Sequence, residues 1–245
     1  MFKTLKDFNF KNKRVLIRAD FNVPLYEKGY IEDDFRLKQA LPTIKYLVKN
    51  RAKVILMSHL DNPQGKVVEG LKLTSIREKL KGYLSANIIK TDDCVGKKVE
   101  NRIKEMKEGE ILLLENLRFH KEEKENNPEF AKSLANLADV YVNDAFGSSH
   151  RAHASIVGVP KYLPSAAGLL LEKEISVLSN ILKKPKRPLV AIIGGAKILS
   201  KIKVIKHFLK EADHLLIGGK IANAILIVKG ICIGRVWPPE ETVKD

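Results

Sequence analysis

Cysteine is nearly missing from this 245-residue chain: Cys94 and Cys232 stand far apart and form no CxxC pair. That argues against a disulfide framework or a zinc site and fits a reducing compartment. Long apolar runs are missing too. No stretch approaches the roughly 18 residues that suggest a membrane span. The first seven residues carry no apolar core of signal-peptide length, so a cytoplasmic protein with no membrane partner is expected. Arginine is sparse, at ten residues, and no arginine-rich run interleaves with aromatics. The formal charge of +15 therefore comes mostly from lysine. Nucleic acid is a minority reading of that charge, and a well-solvated lysine-rich surface is the simpler one.

What remains is the composition of a soluble globular protein, 44% hydrophobic and 30% charged. Apolar runs alternate with helical patterns almost throughout. Strands are predicted at residues 15–21, 53–59, around Ile88, at 111–114 and at 140–142. Between them, a helix starts near Asp33 and Asp34 with Leu37, Leu41, Ile44, Leu47 and Val48 on its apolar face and Pro42 as a kink. Further helices are predicted from a cap at Thr74 or Ser75, near 99–106, and from Asn127-Pro128. The run 122–127 reads as a solvated charged loop. Near-continuous apolar strands separated by amphipathic helices predict an α/β fold, a doubly wound, Rossmann-like parallel sheet.

A second element begins further on. Residues 168–182 have helical periodicity, broken by Lys183-Lys-Pro-Lys-Arg-Pro188. Strands follow at 189–193 and 214–217, each ending in a glycine pair, Gly194-Gly195 and Gly218-Gly219. Domains are therefore expected at 1–165 and 187–245, joined by a helix and linker at 166–186. The second is a partial α/β domain, too short for an independent core. Apolar faces such as that of 221–228 should then be exposed, with poor solubility as the result.

Chemistry concentrates at strand ends. The segment Val142-Asn-Asp-Ala-Phe-Gly-Ser-Ser-His-Arg-Ala-His153 passes from a strand through small residues to clustered cations. Asp20 and Asn22 follow the first strand, His59 ends the second, Arg118 follows the fourth and Arg151 the last. Carboxyl ends of parallel strands share one edge, so these residues can converge. Singly, Arg118 reads as a surface ion pair, His59 as a satisfied core histidine and Asp20 as a turn former. Together they favour a small polyanionic ligand. The second region offers Lys197 and Lys201 beside Gly194 and Gly195, which suits phosphate. It lacks Walker A spacing, and a lone GGxK is more often a tight turn.

The same residues, in order, resemble phosphoglycerate kinase: Arg18-Ala-Asp-Phe-Asn-Val-Pro24, Asp34-Phe-Arg36, Ser58-His-Leu60, Glu115-Asn-Leu-Arg-Phe119, Asp144-Ala-Phe-Gly147 with His150-Arg-Ala-His153, and Gly194-Gly-Ala-Lys197. The resemblance covers essentially the whole chain. It implies a two-lobed enzyme, monomeric when full length, passing a phosphoryl group between 1,3-bisphosphoglycerate and ADP to give 3-phosphoglycerate and Mg-ATP. It implies that Asp20 and Asn22 contact the glycerate, that His59, Arg118 and Arg151 bind its non-transferred phosphate, and that Arg36 lies near the group in flight. Lys197 would serve the transferring phosphoryl and Lys201 the nucleotide phosphates, with Gly194, Gly195, Gly218 and Gly219 beside them.

Three departures from the family pattern matter. His59-Leu-Asp-Asn-Pro63 stands where the family usually has His-Leu-Gly-Arg-Pro, so Asn62 replaces a phosphate-binding arginine. Ile198-Leu-Ser200 replaces Val-Ser-Asp, removing a carboxylate near the nucleotide. The sequence also ends before the family's later glycine-rich motif, adenine pocket and magnesium-binding aspartate. An alternative expectation is a non-catalytic module that binds phosphoglycerate or a similar anion.

Overall fold

The structure, a computed structural model, describes residues 2–26, 29–196, 199–231 and 234. It divides into two compact units, Met1–Ser176 and Val177–Asp245. The first holds a six-stranded parallel sheet in the order β3-β4-β2-β1-β5-β6. Its strands are β1 (Arg14–Arg18), β2 (Lys53–Met57), β3 (Ile88–Lys90), β4 (Ile111–Leu113), β5 (Val140–Asn143) and β6 (Ser165–Ala167). Alternate side chains feed two cores, as strand geometry requires. Val15, Ile17, Val54 and Leu56 point to one, and Leu16, Ile55 and Met57 to the other.

Helices α1 (Phe35–Lys49) and α2 (Thr74–Lys81) close the first core through Leu37, Leu41, Ile44, Leu47, Ile76 and Leu80. Helices α3 (Lys97–Lys104) and α5 (Pro128–Ala135) close the second through Val99, Ile103, Phe130 and Leu134. The doubly wound sheet is thus present, with both faces covered. Asn127 caps α5, its side chain accepting from the N–H groups of Glu129 and Phe130. α1 continues through Pro42 to Lys49. Two local expectations are corrected. Thr74 is already helical, and the cap position is Leu73, whose N–H is held by the Glu115 carboxylate at 2.8 Å. Residues 122–127 are not a simple solvated loop, because Glu123, on the short helix α4 (Lys121–Lys124), is fully buried.

Strand β6, which was not anticipated, leads into α6 (Leu169–Lys183). Two buried side chains hold the start of that helix. Thr43 of α1 accepts the Leu169 N–H at 2.9 Å, and Asp144 Oδ1 accepts those of Leu170 and Leu171 at 2.9 and 3.3 Å. Gly168 permits this approach, since a Cβ there would lie 2.3 Å from that oxygen. Burial pushes the Asp144 carboxyl up to about 6, against hydrogen bonds from Thr43 and the two amides that favour ionisation. A carboxyl with a folded value above its ordinary 3.8 adds stability below that value, and the contribution fades as pH rises to about 6. The stability difference between wild type and Asp144→Asn should therefore move in favour of wild type as pH falls from 7 to 4. The expected shift is on the order of 2–3 kcal/mol, and urea titrations at both pH values measure it. A difference independent of pH would mean that Asp144 does not titrate in this window.

Described by itself, the second unit is a βαβ crossover followed by a helix. β7 (Val190–Ile193) pairs in parallel with β8 (His214–Ile217); α7 (Ile202–Glu211) connects them and α8 (Gly219–Val228) follows. Its two strands cover little: Ile192 is 79% exposed and Leu209 66%. In α8, Ile221 and Ala224 are buried while Val228 is exposed, so the expected apolar exposure is present in part of that helix.

Candidate functional site

The four strands that carry candidate residues are neighbours: β4, β2, β1 and β5 stand side by side. Their carboxyl ends therefore form one continuous edge, which is where open α/β sheets bind ligands. β1 turns out of the sheet after Arg18, and the Phe21 N–H is caught by Ser58 Oγ at 2.9 Å. Asp20 then accepts the Asn22 N–H through Oδ1 and pairs with Arg36 through Oδ2, at 2.9 Å from its Nη1. Asn22 Oδ1 accepts the Asp61 N–H at 2.7 Å, and the Asp61 carbonyl accepts Arg118 Nη1 at 2.6 Å. One hydrogen-bonded chain thus joins Arg36, Asp20, Asn22, Asp61 and Arg118 although they arise from separate segments.

A second chain runs beneath it. Arg18 is a fully buried guanidinium, the largest fully buried side chain described. Its Nε donates to Ser155 Oγ at 2.9 Å, Nη1 to the Ala19 carbonyl, and Nη2 lies 3.0 Å from His59 Nδ1. A guanidinium can only donate, so His59 Nδ1 accepts and its proton sits on Nε2. Burial first, then the charges of Arg18, Arg118, Arg151 and His153, push the His59 imidazole down to about 2, so it is neutral at physiological pH. Neutral His59 is left as a fixed N–H donor.

Beyond Ser155 stands the buried Glu123. Its Oε1 accepts Ser155 Oγ at 2.6 Å, its Oε2 accepts the Ser155 N–H at 2.9 Å, and His153 Nδ1 lies 3.8 Å from Oε1. Arg118, only 7% exposed, completes the group from the 3-10 turn Leu117–Phe119. Asn116 Oδ1 holds that turn by accepting the Arg118 N–H at 3.1 Å, and the Arg118 Nε is buried without a partner. Burial, and after it the nearby Arg151 and Arg18 charges, lower the Arg118 guanidinium from its ordinary value. Three guanidiniums and two imidazoles facing one another with a single buried carboxylate form a site short of negative charge. A phosphate-sized anion supplies it.

The structure thus brings Asp20, Asn22, Arg36, His59, Arg118 and Arg151 together. Asn62 is exposed at the border, where its Oδ1 accepts Lys124 Nζ at 3.3 Å. His150 is exposed, and its Nε2 lies 3.4 Å from Arg151 Nε. Sequence reading did not assign Arg18, Ser155 or Glu123 to the site, and it named His153 only within the cluster of cations after β5. Arg18 did carry a signal: a charge directly after Val15-Leu-Ile17, in a strand covered on both faces, must have buried partners. Glu123 carried none within its charged run.

In the second unit the two glycine pairs meet. A Cβ on Gly219 would lie 3.4 Å from the Gly195 backbone nitrogen, and one on Gly195 would lie 3.1 Å from Lys201 Cε. Gly195 has φ +130°, a conformation that side-chain-bearing residues rarely adopt. Backbone and Lys201 thus gather at the carboxyl ends of β7 and β8, as phosphate binding requires. Lys197 lies outside the described residues.

The profile of the phosphoglycerate kinase family matches residues 5–244. Phosphoglycerate kinase of Moorella thermoacetica is 55% identical over 240 residues, covering 98% of this chain and 61% of the relative. That of Dictyoglomus turgidum is 52% identical over 231 residues, 94% of this chain and 58% of its own length. The structure of phosphoglycerate kinase from Coxiella burnetii superposes with a TM-score of 0.85 at 38% identity, covering 100% of this chain and 61% of that one. The enzyme from Pyrococcus horikoshii gives 0.84 at 38% identity, covering 96% and 59%. The chain therefore spans about three fifths of the length of the relatives it matches.

Proposed function

The chain belongs to the phosphoglycerate kinase family, and from that premise we propose that it supplies the phosphoglycerate domain and the first part of the nucleotide domain of a cytoplasmic enzyme. The reaction transfers a phosphoryl group between 1,3-bisphosphoglycerate and ADP, giving 3-phosphoglycerate and ATP. The observation that supports it best is the convergence of Arg18, Arg118, Arg151 and the His59 donor on one edge of the sheet, with a guanidinium nitrogen left unpaired. In this reading residues 1–165 hold phosphoglycerate, 166–186 connect, and 187–245 begin the nucleotide domain.

Each side chain then has a definite task. Arg118, Arg151 and the His59 Nε2–H bind the phosphate that stays on the glycerate. Asn22 and Asp20 meet its hydroxyl and carboxyl end. Arg36, held by Asp20 yet half exposed, is free to turn toward the phosphoryl in flight. Lys201, the glycine pairs and Lys197 serve the nucleotide phosphates. An acyl phosphate is a good leaving group and a nucleotide phosphate oxygen needs no deprotonation to attack. No general base is required; positioning and charge cancellation carry the catalysis.

Magnesium would arrive with the nucleotide. Among the described residues of the second unit no group of three ligating side chains offers it a site. In a form extended to the length of its relatives, ATP-dependent consumption of 3-phosphoglycerate should appear in a coupled assay. Loss of turnover with saturable binding retained would reduce the chain to a binding module, and loss of both would reject the reading.

Position 62 gives a sharper test. Asn62→Arg should tighten 3-phosphoglycerate binding in calorimetry, since a charged hydrogen bond contributes about 1.5–3 kcal/mol. Lys124 already places a cation beside Asn62, so the gain should sit near the lower figure, about tenfold. An unchanged dissociation constant would mean that position 62 does not face the ligand.

A further inference from the structure

A separate trio of ligating groups lies at the β3 side of the sheet. Asp93 and Cys94 follow β3, and His120 follows the 3-10 turn Leu117–Phe119. One ligand atom of each lies within 4.8 Å of the other two. His120 Nε2 is 2.6 Å from Asp93 Oδ1, and Phe130 stacks on the imidazole at 4.9 Å, fixing its plane. Cys94 sits fully buried behind them, its Sγ donating to the Glu115 carbonyl at 3.0 Å. The Asp93 and His120 side chains are 55% and 26% exposed, so an ion has a path from solvent.

We propose that Asp93, Cys94 and His120 form a binding site for a soft divalent cation of the zinc class, with water as the fourth ligand. Thiolate, imidazole and carboxylate are the donor set that selects zinc over magnesium or calcium. Zinc sits about 2.3 Å from sulfur and about 2.0–2.1 Å from nitrogen, which places tetrahedral donors about 3.5 Å apart. The sulfur must therefore close by little more than 1 Å, and the Asp93–His120 pair must open by less. Cysteine spacing alone argues against a zinc site because the ligands come from two separate segments, 93–94 and 120, and only one is a thiol.

The ion displaces the Cys94 Sγ proton, which leaves to solvent. The proton between Asp93 and His120 moves to Nδ1, so Nε2 can ligate. One proton is released per ion bound. His120 is two residues from Arg118, and the bound ion would clamp the turn that carries both.

Cobalt(II) titrated into the full chain tests this, because a thiolate–cobalt bond produces a charge-transfer band absent from oxygen or nitrogen sites. One equivalent should develop the band with release of about one proton, and zinc should displace it. His120→Ala and Cys94→Ser should each lose the band, with circular dichroism confirming the fold, while Cys232→Ser keeps it. Should Cys94→Ser fail to fold, His120→Ala decides alone. No band, a band retained in His120→Ala, or one lost only in Cys232→Ser would overturn the site.

Discussion

Glu123→Ala is expected to destabilise the first unit by about 3–5 kcal/mol, the usual cost of leaving a buried charge without its partner. Glu123 is fully buried, and its two oxygens are filled by the Ser155 hydroxyl and N–H. Through that hydroxyl it is linked to the buried Arg18 guanidinium, and it also acts favourably on Arg118 and His153. Removing it leaves a cluster of cations in an apolar setting with no compensating anion. Urea denaturation of wild type and variant measures the loss. Added phosphate should restore part of the stability in the variant, because an anion bound to the same cluster replaces the missing charge. A variant as stable as wild type would mean that the cluster is compensated elsewhere. Ser155→Ala should cost less, about 1.5–3 kcal/mol, since it removes the link and keeps the charge.

Glu123 also marks the limit of what local sequence tells. It lies in Lys121-Glu-Glu-Lys-Glu-Asn-Asn127, where every residue looks equally solvated. Its burial is decided by residues 153–155, brought over it by the turn after β5. Nothing local distinguishes it from Glu122. Strand β6 was hidden for a related reason. Ser165-Ala-Ala167 has no β-branched or aromatic residue, and it is a strand only because β5 on one side and Thr4 on the other offer it partners.

The central strands were legible because burial on both faces forces near-continuous apolar runs. Asp20, Asn22, His59, Arg118 and Arg151 were legible because each lies at the end of such a run or in the loop after it, and parallel topology places those ends on one edge. Arg36 is different. It begins a helix, and nothing in its periodicity links it to Asp20; only the resemblance placed it in the site, and the 2.9 Å ion pair places it beside Asp20. The glycine pairs of the second unit were legible as turns, while their mutual approach depends on the pairing of β7 and β8.

Arg118→Ala should act on the ligand and hardly at all on the fold, the opposite of Glu123→Ala. Arg118 makes one hydrogen bond through its guanidinium, to the Asp61 carbonyl, and its Nε is buried without a partner. It also faces the positive charges of Arg151 and Arg18. Arg118 is therefore held beside like charges at some electrostatic cost, and alanine relieves it. A bound phosphate instead accepts from the guanidinium in a paired geometry that lysine cannot reproduce. Losing that interaction should weaken 3-phosphoglycerate binding by about 1.5–3 kcal/mol, a factor of about 10–100 in the dissociation constant. Arg118→Lys should fall between alanine and wild type. The thermal midpoint should stay near that of wild type or rise slightly. Calorimetry read together with melting separates the two roles: unchanged affinity would remove Arg118 from the site, and a large fall in stability would make it a structural arginine.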